Sequence, residues 1–370
     1  MAGLYLHIPF CKRICAYCDF FRSAELKYLP DVVRAMHSEM DEQRDFLNDK
    51  SLQTIYFGGG TPSLLHPDEF TRFIDHADAL FDCNLLSEIT IEANPDDIDK
   101  RYVDALRRTP VNRVSLGVQS FDDAELRFMN RRHSAMQAQD AVKRLQDSGI
   151  ENITIDLIFG VDGFGVDVLR RSVLTALSLG VQHISAYHLT IEPDTAFGRR
   201  LRRGELNEVA EGQSEQEYAL VEELLTASGY EHYEVSNYAL EGFRSRHNSS
   251  YWHGVEYLGL GSGAHSFNGA VRRWCQQPLP RYIERREYES ETLSMTDRYN
   301  EYLMTSLRCA EGVDLRYVAA HFGESAQRQL LSLAQRWIDE NKLLREGDTL
   351  RIPTSHFLLS DAIISTLFEV

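Results

Sequence analysis

The chain is 370 residues long, 43% hydrophobic and 26% charged, with 39 Lys and Arg against 56 Asp and Glu for a net charge of −17. So acidic a balance argues against nucleic acid or an anionic membrane as the main partner, because phosphate contacts need clustered Lys and Arg. No apolar run approaches the roughly 18 residues of a membrane span, which excludes stable insertion and leaves at most transient membrane contact.

The first residues, Met1-Ala2-Gly3-Leu4-Tyr5, run straight into strand-like sequence without a basic region and apolar core. Of six Cys, three fall within eight residues. Together these features predict a cytoplasmic protein, monomer or homodimer, whose clustered thiols meet metal instead of pairing. Strand candidates at 4–8, 54–57, 88–93, 113–118, 152–159 and 183–189 alternate with amphipathic segments near 30–47, 67–81, 99–108, 134–148 and 166–179. Asp31, Asp99 and Asp167 stand near three helix starts, where a carboxylate meets orphan N–H groups, and Gly149 follows the end of a fourth helix. Strands joined by helices predict parallel units wound right-handed. Six units are too few for a closed eight-fold barrel, so the predicted fold class is α/β with a partial (β/α)6-type barrel. Ligands then belong at the C-terminal ends of the strands.

After about residue 195 the pattern changes. A helix is predicted over 211–228, followed by an aromatic, polar and glycine-rich stretch, 230–269, with weak strand character. The tail predicts helices over 297–309, 313–322 and 325–341, a β-hairpin over 343–352 and a last helix near 358–368. The expected organisation is a barrel core over 1–195, an extension over 196–290 and a smaller, mostly helical, winged-helix-like domain over 291–370. With so acidic a chain, that last unit reads as a structural or protein-contact module. Arg199, Arg200, Arg202 and Arg203 form one basic patch, either a solvated turn or a contact for a small anion.

Cys11-Lys-Arg-Ile-Cys15-Ala-Tyr-Cys18 is a C-x3-C-x2-C run directly after the first strand. Three thiolates on one loop can hold three irons of a 4Fe–4S cubane and leave the fourth open, as a substrate-binding cluster needs. The alternative is a zinc site completed by His7 or Cys83, but zinc favours paired C-x2-C knuckles.

This spacing resembles that of the radical S-adenosylmethionine (SAM) superfamily. Tyr5-Leu-His-Ile-Pro-Phe-Cys11 resembles the opening of the oxygen-independent coproporphyrinogen III oxidase family. Gly58-Gly59-Gly60-Thr61-Pro62, Glu92-Ala-Asn-Pro95, Gly117-Val-Gln119-Ser-Phe121 and Asp156-Leu-Ile-Phe-Gly160 match that family in order. His247-Asn248-Ser-Ser-Tyr251-Trp252 and Gly259-Leu-Gly261-Ser-Gly263-Ala264-His265 resemble the closing motifs of its haem-chaperone branch, HemW. True oxidases carry a fourth Cys two residues beyond the third, where this chain has Phe20. One departure from the branch is Phe159-Gly160-Val161-Asp162, where a Leu-Pro pair is usual.

The resemblance implies a cluster on Cys11, Cys15 and Cys18 and SAM chelating the open iron. It also implies that Tyr5, Tyr17, Gly59, Gly60, Thr61, Glu92, Gln119, Arg131 and Asp156 line the cofactor cavity. Glycines there let backbone approach without Cβ interference, Glu92 suits ribose hydroxyls or the amino group, and Tyr17 suits the adenine. Haem is the implied cargo and an unidentified acceptor protein the implied partner; radical decarboxylation of coproporphyrinogen III is the alternative function. His247, with Tyr251 and Trp252 beside it, reads either as a haem ligand or as a hydrogen-bonded loop histidine. His265 carries the same ambiguity.

Overall fold

The computed structural model describes residues 1–369. Six βα units open the chain. Their strands are β1 (Ala2–Ile8), β2 (Leu52–Gly59), β3 (Glu88–Ala93), β4 (Arg113–Gln119), β5 (Ile153–Phe159) and β6 (His183–His188). The helices are α1 (Leu29–Gln43), α2 (Pro67–Leu80), α3 (Lys100–Leu106), the short α4 (Asp123–Phe128), α5 (Ala135–Asp147) and α6 (Val166–Ser178). All six strands pair in parallel in chain order. Residues such as Leu4, Leu6, Ile55, Phe57, Ile91, Leu116 and Ile155 are fully buried, because helices cover the outer face and side chains fill the inner one. Asp99 caps α3 by accepting from the Tyr102 N–H, whereas Asp31 and Asp167 lie within the first turns of their helices and are not the N-cap residues. Ser134 and Gln137 form a reciprocal capping box on α5.

The stretch beyond 195 extends this sheet at both edges. After α7 (Ala196–Arg202) and α8 (Glu211–Ala227), β7 (Glu231–Glu234) and β8 (Asn237–Ala239) join antiparallel beyond β6. A short helix, α9 (Arg246–Trp252), leads to β9 (Glu256–Leu260), which pairs parallel with β1 on its free side. That makes a seventh parallel strand, which the sequence announces only weakly because it is five residues long and carries Gly259. Next, β10 (His265–Phe267), β11 (Val271–Trp274), the helix α10 (Leu279–Glu284) and β12 (Glu289–Thr292) complete an edge of antiparallel pairs. Twelve strands form one sheet. The haem-like motif at 247–252 is therefore helical, a correction to its reading as loop.

The tail is α11 (Met295–Leu307), β13 (Val313–Asp314), α12 (Leu315–Phe322), α13 (Glu324–Asp339), the hairpin β14 (Leu344–Glu346)–β15 (Thr349–Arg351) and α14 (Ser360–Ser365). The strand β13 pairs with β15, so three helices and a three-stranded wing pack as a winged-helix unit, as the tail predicts. No helix among the described residues is long and apolar enough to cross a membrane.

Candidate cofactor site and the groove beside it

The register of β1 on β2 sets the geometry of the site. His7 lies opposite Gly58 and Ile8 opposite Gly59, so the loop leaving β1 emerges beside the glycine turn. Gly60 N–H donates to Ile8 O (2.9 Å) and Thr61 N–H to Phe10 O (2.8 Å), tying the two loops together. The cysteine loop closes on itself where Cys11 N–H donates to Ser23 O (3.0 Å) and Ser23 N–H to Pro9 O (2.7 Å). Its far side is held by Ala16 N–H to Met129 O (3.0 Å) and by the Asn130 side chain to Ile14 O (2.7 Å).

All three cysteines of this loop are free and partly exposed. Burial pushes the Cys11 and Cys18 thiols up, in Cys11 against a hydrogen bond from Thr61, whose hydroxyl lies 3.6 Å from the sulfur. Ligation would have to remove these protons. Arg131 reaches the loop from below: one guanidinium nitrogen donates to Cys15 Sγ (3.2 Å), the other to Asn94 Oδ1 (2.7 Å) and to the Gly117 carbonyl. The Arg131 Nε is buried with no partner among the described residues. Among the described residues no three His, Cys, Asp or Glu side chains converge tightly enough to hold a single metal ion. His7 is committed elsewhere: its Nε2 donates to Phe21 O (2.9 Å), its Nδ1 accepts from Tyr5 OH (3.0 Å), and burial lowers its pKa to about 4.

Glu92 projects from the end of β3 into the barrel, accepting from Tyr56 OH (2.8 Å) and Gly59 N–H (3.0 Å); burial raises its pKa to about 7. Across the interior Asp156 accepts from Ser115 Oγ (3.3 Å), and burial raises it to about 6. Gln119 ends β4 at φ +70°, where a bulge interrupts pairing with β5. Tyr17 lies 3.5 Å from Arg131. The glycines are close-packed for reasons of their own. A Cβ on Gly58 would meet Tyr56 and Glu92 within 2.9 Å, one on Gly59 the His7 ring at 2.5 Å, and one on Gly60 the Ile8 carbonyl at 2.6 Å. Tyr56, Asn94 and His7 belong to this network as well; Asn94 and His7 sat inside motifs legible in the sequence, and Tyr56 did not.

His247 lies at the other end of the barrel. Its neighbours are Gly3, Thr54 and Glu88, near the N-terminal ends of β1, β2 and β3. Nδ1 bonds Thr54 Oγ1 (2.7 Å), Nε2 bonds Tyr251 OH (2.8 Å), and the ring stacks on Tyr56 with centroids 4.9 Å apart. Burial lowers its pKa to about 3. Of the two readings left open by the sequence, this geometry matches the hydrogen-bonded histidine, since neither ring nitrogen is spare. Arg244, just before it, is paired with Glu231 and Glu311.

Beside the cysteine loop runs a groove of about 1100 Å³, bounded by Asp19–Phe21, Tyr5, the residues after α9, β10, α11 and α12. Phe20, the residue in place of a fourth cysteine, is 65% exposed and faces it.

A parallel barrel with three cysteines on the loop after its first strand and a glycine turn after its second is the architecture of a radical SAM protein. The Radical SAM superfamily pattern matches residues 5–171, and that of the HemN C-terminal domain matches residues 293–355. The fold superposes on the Escherichia coli coproporphyrinogen III oxidase HemN with a TM-score of 0.85 at 20% identity, over 99% of this chain and 90% of that one. The heme chaperone HemW of Lactococcus lactis is 37% identical over 84% of this chain and 82% of its own. HemW of Bacillus subtilis is 33% identical over 88% of both chains, and that of Mycobacterium tuberculosis 34% over 99% and 94%. The chain belongs to the HemW family of radical SAM proteins, a class defined by a 4Fe–4S cluster and S-adenosylmethionine.

Proposed function

We propose that this protein is a haem chaperone of the cytoplasm, which binds haem and passes it to an acceptor protein while holding a 4Fe–4S cluster and SAM. The observation that carries the reading is the extent of similarity to heme chaperones, 37% identity over 84% of the chain in one relative. In this reading Cys11, Cys15 and Cys18 hold the cluster, and Arg131 and Thr61 supply hydrogen bonds to its sulfurs that favour the anionic form. When bound, the cluster with SAM supplies one-electron chemistry. The chain's own residues would place the cofactor. Glu92, with acceptor capacity left beside the Gly59 amide, suits the amino group or the ribose. Tyr5, Tyr17, Gln119 and Asp156 line the remaining space, and Gly59, Gly60 and Thr61 keep the turn against the loop.

The alternative, an oxygen-independent coproporphyrinogen III oxidase, shares fold and cofactors. Against it stands Phe20, an exposed apolar side chain where the oxidases carry a fourth cysteine. Anaerobically reconstituted protein should bind haem near one equivalent and leave coproporphyrinogen III unconverted. Robust decarboxylation without haem affinity would overturn the chaperone reading and install the oxidase.

A further inference from the structure

Four of the molecule's exposed large hydrophobic side chains, Phe20 (65%), Met295 (60%), Met304 (40%) and Tyr317 (40%), gather in the groove beside the cysteine loop. Apolar exposure concentrated in one concavity marks a ligand site, and the volume is at the upper end of cofactor pockets. Two histidines in the same groove are built alike. His253 follows α9, with Nδ1 2.7 Å from Ser249 O, and His321 lies on α12, with Nδ1 3.0 Å from Tyr317 O. A carbonyl only accepts, so each Nδ1 carries the proton and each Nε2 presents its lone pair, with no protein partner among the described residues. An anchored Nδ1–H with a free Nε2 is the tautomer and orientation of a metal-ligating imidazole. His321 is further fixed by stacking on Tyr317, with centroids 3.8 Å apart. His265 also lines the groove, but its ring lies against Trp274 without such an anchor. For the propionates, Arg298 in the groove has no ion-pair partner among the described residues, while Arg272 is taken by Glu301.

We propose that haem occupies this groove with its iron ligated by Nε2 of His253 and of His321, one donor from the barrel and one from the C-terminal unit. The assignment rests on the haem-chaperone reading. It places the cargo against Phe20, two residues from a cluster cysteine, and leaves His247 to its place in the barrel wall.

The test is haem titration of the full-length, cluster-loaded protein, followed by absorption and electron paramagnetic resonance spectra. Wild type should give a six-coordinate, low-spin spectrum. His253→Ala and His321→Ala should each turn it high-spin and weaken haem at least tenfold, and added imidazole should restore the low-spin form. His265→Ala should change neither. Both target rings are exposed and bond only their own helix turn, so iron content and melting temperature should stay at wild-type values. A double variant with the wild-type spectrum would overturn the assignment, as would a spectrum moved by only one of the two substitutions. Absence of haem binding by wild type would overturn the chaperone reading and this assignment together.

Discussion

Gly60→Ala is the most informative single change at the cofactor site. An added Cβ would lie 2.6 Å from Ile8 O and 2.7 Å from both Phe10 N and Phe10 O. These are main-chain atoms, and ordinary contact needs about 0.7 Å more, so the strand end and the start of the cysteine loop must move apart. Gly60 has no left-handed φ, which makes the penalty purely steric. Overpacking of this kind costs about 1–3 kcal/mol, and the displaced backbone is that of the residue immediately before Cys11. The same movement strains the Gly60–Ile8 and Thr61–Phe10 hydrogen bonds. Iron per chain after anaerobic reconstitution should fall well below four, and the melting temperature should drop. Gly149→Ala is the control: its φ of +87° costs stability, but nothing lies within 4 Å and the site is remote, so iron content should hold. A Gly60→Ala protein with full iron and an unchanged response of its cluster spectrum to SAM would refute the packing argument.

Cys15→Ala should abolish the cluster while Cys83→Ala leaves it intact, and iron analysis decides; full iron in Cys15→Ala would sink the thiol assignment. Arg131→Met removes a cation 3.2 Å from Cys15 Sγ and should make the cluster potential more negative, read by redox titration. Glu92 has a pKa near 7 in the fold, against 4.5 ordinarily. The folded state therefore binds the proton more tightly, and this contribution, roughly 3 kcal/mol at most, is full below about pH 4.5 and lost as pH rises through about 7. Cofactor-free Glu92→Gln should flatten that loss in urea denaturation at pH 5 and 8, and parallel curves for the two proteins would reject it. His247→Ala removes two buried hydrogen bonds and a stacked ring, and should cost about 2–4 kcal/mol without moving the haem spectrum.

The six parallel strands were legible because strands covered on both faces are short, continuous and β-branched, and because helices of 3.6-residue period separate them. The cysteine loop and glycine turn were legible for a different reason: their chemistry lies in local spacing, which the chain carries wherever it folds. Extension of the parallel sheet by β9 was not, because Glu256–Leu260 owes its place to pairing with β1, some 250 residues away, and not to any strong local preference. The same holds for the histidines. Nothing in the run His247-Asn248-Ser-Ser-Tyr251-Trp252-His253 says which ring is buried; the helix formed by Arg246–Trp252 turns His247 onto Thr54 and leaves His253 exposed at its end. His321, in another domain, shares no motif with it at all. Local sequence determined which groups can bind iron, sulfur ligands and cofactor, whereas only packing across the chain decided which of them still have a lone pair to offer.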